Sequence, residues 1–193
     1  MTIYRATQPL FVALLLVAAA VASPASAYED GLERFFGAYV GAGIAEQVDK
    51  GTQQQRTLDV TIEPYKDNGF TLKWITVMFS PDEANATSSV KRREISESFV
   101  PLPDKNGIFI DAPTGGLFSK AELPNPLKGE PMRWAALDCD SLTVYSMAIT
   151  DTGASELQVY HRTLTATGLT VRFMRMHDEN VMVRLTGDLV KAQ

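Results

Sequence analysis

The chain is 193 residues long, with 18 basic and 23 acidic side chains and a formal net charge of −5. That acidic balance argues against nucleic acid and anionic membrane surfaces as partners. One cysteine, Cys139, excludes an internal disulfide framework, so stability must come from an ordinary core.

The first element in chain order is a targeting segment. Arg5 gives a basic start, Leu10 to Ala22 is almost wholly apolar, and Ala25-Ser26-Ala27 is a small-x-small cleavage signature. The apolar run is too short to span a bilayer comfortably. We expect a signal peptide over 1–27 and a secreted, periplasmic domain over 28–193, with no integral membrane segment in the mature chain. Loss of Arg5 makes the mature charge one unit more negative.

Leu32, Phe35 and Phe36 lie at helical spacing and predict a short amphipathic helix over 28–36. From Ala38 onward the chain reads as strands, at 38–48, 54–65, 70–80, 90–101, 108–112, 132–137, 142–150, 154–165, 169–177 and 181–191. Pro81 to Ser89 is a polar connection that contains the glycosylation sequon Asn85-Ala86-Thr87. Pro113 to Pro131 holds four prolines and cannot be a central strand, so it is either a simple crossing or a functional loop.

Five hairpin loops join the strands: Asp67-Asn68-Gly69, Lys105-Asn106-Gly107, Asp151-Thr152-Gly153, Ala166-Thr167-Gly168 and Asp178-Glu179-Asn180. Each reads as a three-residue loop ending in Gly or Asn, the residues that reach the left-handed region most cheaply. Flanking residues then face each other, which sets the register. Trp74 falls opposite Ile62, Lys73 opposite Glu63, Tyr145 opposite Val159, His161 opposite Phe173, and Arg175 opposite Val183. One face collects Tyr145, Met147, Ile149, Leu157, Val159, Val171, Phe173, Val183 and Leu185. The other collects Ser146, Gln158, Tyr160, Arg162, Arg172, Met174 and Arg184.

About ten antiparallel strands with one apolar face and no covering helix bury that face most simply by closing on themselves. The expected fold is all-β: a single up-and-down antiparallel barrel with a short N-terminal helix and a cavity inside. A two-sheet sandwich is the alternative.

The segment Phe35-Phe36-Gly37-Ala38-Tyr39-Val40-Gly41-Ala42-Gly43 resembles the opening of the calycin superfamily, the lipocalin, fatty-acid-binding and nitrobindin-like barrels. The resemblance covers this motif, the single-domain length and the strand order. It implies that Tyr39, where the family has Trp, plugs one barrel end. Gly37, Gly41 and Gly43 would let the wall approach it, and Arg184 or Arg175 would stack on it. Nitrobindin-like members bind haem through a His near the C-terminus. Nothing after His177 is a His, so no haem or other cofactor is expected.

No catalytic motif stands out. There is no Gly-x-Ser-x-Gly turn, and His161 and His177 have no motif around them. Asp138-Cys139-Asp140 reads as a solvated turn, not a metal loop. Lys91-Arg92-Arg93-Glu94 either projects past the barrel rim or places Arg93 at the cavity mouth. The expected function is non-catalytic binding of a small hydrophobic or amphipathic ligand, lined by Trp74, Tyr145, His161, Phe173 and Arg175. A filled structural or protein-interaction barrel, a small isomerase and a haem-type barrel are the alternatives.

Overall fold

The structure is a computed structural model that describes residues 31–66, 68–80, 89–113 and 124–192. The signal segment, the sequon and the middle of the Pro113–Pro131 loop lie outside those residues. Ten strands form one closed barrel: β1 (Gly37–Gln47), β2 (Thr52–Tyr65), β3 (Gly69–Ser80), β4 (Ser89–Pro101), β5 (Ile108–Asp111), β6 (Met132–Asp138), β7 (Ser141–Ile149), β8 (Ser155–Leu164), β9 (Gly168–His177) and β10 (Asn180–Lys191). Each strand pairs antiparallel with its sequence neighbours, and β1 pairs with β10 to close the ring. Residues 31–33 are helical, and a 3₁₀ turn spans Pro126–Lys128.

The strands form because side chains alternate between two environments. In β10, Val183, Leu185 and Leu189 are buried, while Arg184, Thr186 and Asp188 are exposed. In β2, Leu58, Val60 and Ile62 point inward. Gly43 and Gly187 face each other across the β1–β10 seam. A Cβ on Gly187 would lie 2.7 Å from the Ala42 carbonyl oxygen and 2.9 Å from Leu58 Cδ1. The missing side chains make room for Leu58 inside the wall.

One end of the barrel is filled. Phe70 stacks on Phe99 at 5.0 Å and meets Phe109 edge-on at 5.2 Å. Leu32 and Phe35, from the helical residues and the turn after them, are buried against this end. Tyr39 is 1% exposed and donates its hydroxyl proton to the Phe35 carbonyl at 2.9 Å. Lys191 lies over the Tyr39 ring at 5.6 Å from its centre, a contact expected from Arg184 or Arg175. Arg184 sits on the outer face instead, and Arg175 belongs to the opposite end of the barrel.

Three registers differ from the sequence expectation. In the β2–β3 hairpin the loop is residues 66–68, with Asn68 left-handed at φ 63°, and Val60 faces Trp74. That shift of two residues preserves the faces, but Lys73 pairs with Glu94 at 2.7 Å and not with Glu63. At β9–β10, Asn180 faces His177, and a bulge between Val181 and Val183 restores the Arg175–Val183 pairing. At β8–β9, Thr165 and Gly168 exchange bonds across Ala166-Thr167, from Thr165 N to Gly168 O at 2.9 Å and from Gly168 N to Thr165 Oγ1 at 3.0 Å. The loop is therefore two residues, not three. Tyr160 faces Phe173, and Arg162 faces Val171. This slip of one residue reverses the faces of β7 and β8.

The reversal puts Ser146, Gln158, Tyr160 and Arg162 inside. Tyr145, Met147, Leu157, Val159 and His161 lie outside. There they join Ile110, Met132, Trp134, Met174 and Met176 in an apolar band across β5 to β9. Trp134 and Tyr145 stack at 5.0 Å within it.

Candidate ligand cavity

The end opposite the Tyr39 plug is hollow. A cavity of about 240 Å³ lies between β2, β3, β8, β9 and β10. A second, more open cavity of about 620 Å³ shares Trp74, Arg93, Gln158 and Tyr160 with it and extends under β6 and β7. The shared wall is aromatic. Trp74 and Tyr160 lie 5.0 Å apart, and Tyr160 and Phe173 lie 4.6 Å apart. Val171, Val183, Leu185, Leu58 and Val60 complete the apolar lining.

Arg56, Arg93, Arg162 and Arg175 point into this apolar space. Arg93 and Arg175 are exposed at the mouth, while Arg56 is half-buried. Arg162 is 1% exposed, with its guanidinium 5.8 Å from the Trp74 ring centre and 5.7 Å from that of Tyr160. Burial pushes Arg162 down to about 10, partly offset by Tyr160 and Glu97. At that value the group keeps its charge at neutral pH. Burial and then the repulsion of Arg93 also lower Arg56.

The remaining polar groups form two short chains. Tyr160 donates to Gln158 Oε1 at 2.7 Å, and Gln158 Nε2 donates to Glu156 Oε1 at 2.7 Å. Burial pushes the Tyr160 phenol up to about 12, so it remains a donor. Arg133 bridges two carboxylates, Glu97 at 2.7 Å from Nε and Asp111 at 3.0 Å from Nη1. Burial raises both carboxyls above the usual range despite that cation.

Of the residues predicted to line the site, Trp74, Phe173 and Arg175 come together here. Tyr145 and His161 do not, because the two-residue β8–β9 loop turns them outward. His161 is held on the outer face between Thr143 (Nδ1 to Oγ1, 2.7 Å) and Thr163 (Nε2 to Oγ1, 3.1 Å). Tyr160, Arg162 and Arg56 were not among the predicted lining residues. A usable signal was present in Thr165-Ala166-Thr167-Gly168, with a polar first residue and a Gly at the fourth position, the pattern of a tight turn.

Among the described residues, no group of three or more His, Cys, Asp or Glu side chains could hold a metal ion. No helix among them is long and apolar enough to cross a membrane. Cys139 is an exposed free thiol at φ 48° in the β6–β7 turn.

No protein-family model matches the sequence, and no curated protein matches it. Among solved structures, the chain is similar to an S-type phycobiliprotein lyase from Guillardia theta. The likeness has a TM-score of 0.52 at 9% identity, over 89% of this chain and 98% of that one. At that identity it concerns the fold.

Proposed function

We propose that this chain is an exported, non-catalytic binding protein that holds a small apolar or amphipathic ligand inside its barrel. The observation that carries this reading is the cavity itself. An aromatic and aliphatic wall surrounds a few inward polar groups, which is the composition of a ligand pocket. Trp74, Tyr160 and Phe173 pack on the apolar body, and Arg175 meets a polar or acidic head group at the mouth. Export is supported by the apolar run Leu10 to Ala22 ahead of Ala25-Ser26-Ala27. Kinship with the calycin barrels is supported by the Gly37–Gly43 motif and by the buried Tyr39 at one end.

Native mass spectrometry of protein purified from its own host tests the reading. The expected result is a retained small-molecule mass that Trp74→Ala reduces and Tyr145→Ala leaves in place. A clean apo mass, with no thermal shift across fatty acids, isoprenoids and haemin, sinks it.

A second reading, a protein-interaction barrel, is favoured by a separate observation. The outer band around Trp134 and Tyr145 is continuous across five strands.

A further inference from the structure

The buried side-chain nitrogens that lack a partner among the described residues are Arg56 Nε, Arg162 Nε and Arg162 Nη1. They belong to two arginines that line the same cavity. Arg162 is a fully buried cation, which is strongly unfavourable without close compensation, and Arg56 is half-buried with one buried nitrogen unpartnered, so both offer donors to an anionic group. The inward carboxylate whose field reaches Arg162 is Glu97, and Arg133 already holds it at 2.7 Å.

The two places are distinct. Arg56 is on β2 and Arg162 on β8, four strands apart one way round the ring and six the other. They therefore stand on roughly opposite walls. They also differ in depth. Arg162 faces Val171, four residues further along β9 from the mouth than Arg175. Arg56 is close enough to Arg93 to be repelled by it, and Arg93 is exposed. Trp74, Tyr160 and Phe173 line the same cavity, in ring contact with one another, and the first two lie 5.8 and 5.7 Å from the Arg162 guanidinium.

We propose that the occupant is an organic acid with two anionic groups, one seated on Arg162 at the inner end of the cavity and one on Arg56 at its mouth. Its apolar body lies along the aromatic wall. This inference rests on the ligand-binding reading above and adds the charge, the number of acid groups and the two residues that select them. Arg93 and Arg175 supply an attractive field at the entrance that draws such an acid in.

Chain-length-matched sets of straight-chain alcohol, mono-acid, α,ω-diacid and alkyl phosphate, titrated against the Trp74 fluorescence in a Trp134→Phe background, test the inference. The diacid should bind about tenfold more tightly than the mono-acid, and the mono-acid about tenfold more tightly than the alcohol, one charge-assisted contact per step. Arg162→Met and Arg56→Met should each lower the diacid to mono-acid affinity, and far-UV circular dichroism reports that each variant is folded. The ligand-free Arg162→Met protein should melt higher than the parent, because an uncompensated buried charge has been removed.

Equal affinity for alcohol and diacid overturns the inference and leaves the ligand-binding reading standing. Equal affinity for alkyl phosphate and diacid overturns the two-place arrangement, because the phosphate carries its charge at one end. Failure of every probe to bind, the alcohol included, overturns both readings. A lower melting temperature for Arg162→Met with unchanged ligand ranking assigns Arg162 to the scaffold and overturns its role as an anchor.

Discussion

At the scale of single residues, the side chains that matter are those placed against their preference. Arg162 is a cation in an aromatic interior, and His161 is an imidazole clasped by two threonines on the outer wall. Burial, then Arg172 and Arg162, lower the His161 pKa. Its folded value lies below its unfolded value of about 6.5. The stability it contributes is therefore complete above that unfolded value and is lost as pH falls through the folded one. Urea melts between neutral and mildly acidic pH should show this loss, and His161→Gln should flatten it. An imidazole signal in NMR that titrates at or above the ordinary position contradicts the argument. Sequence patterning placed His161 in the wall of the barrel, among the cavity-lining residues. Its side of the wall was not legible, because facing direction depends on a turn several residues away.

At the scale of elements, alternation was enough to locate all ten strands, as in β2 and β10, where the environment switches residue by residue over 54–63 and 183–190. Register needed more. Two of the three misplaced hairpins kept their faces, one through a shift of two residues and one through a compensating bulge. The Ala166-Thr167 turn had no compensation and reversed two strands. Apolarity misled at this point because β8 turns Leu157 and Val159 outward and Gln158, Tyr160 and Arg162 to the cavity, while β7 carries apolar residues on both faces. A seam of close backbones is the other element-level device. Gly187→Val places a side chain 2.7 Å from the Ala42 carbonyl and against Leu58. A loss of roughly 1–3 kcal/mol in chemical denaturation is expected from such overpacking. A Gly187→Val protein as stable as the parent means that the seam can open without penalty.

At the scale of the whole molecule, the barrel has a packed end and a hollow end, with an apolar band on one outer flank. The Phe70, Phe99 and Phe109 cluster supplies rigidity where no ligand is expected, which frees the other end to hold unpaired charge. The flank makes its own prediction. If the band carries a protein contact, Trp134→Glu should dissolve any self-association seen in sedimentation velocity while leaving cavity binding intact. A monomeric parent protein removes self-association as the use of that band. Closure through β1 and β10 carries a further consequence, for the order of events in folding. Every other neighbouring pair of strands can zip up as soon as its hairpin exists. The last seam joins the two strands most distant in sequence and must wait for all the rest. Until it forms, both strands present open edges, so the interval before closure is when this chain is most exposed to pairing with another copy of itself.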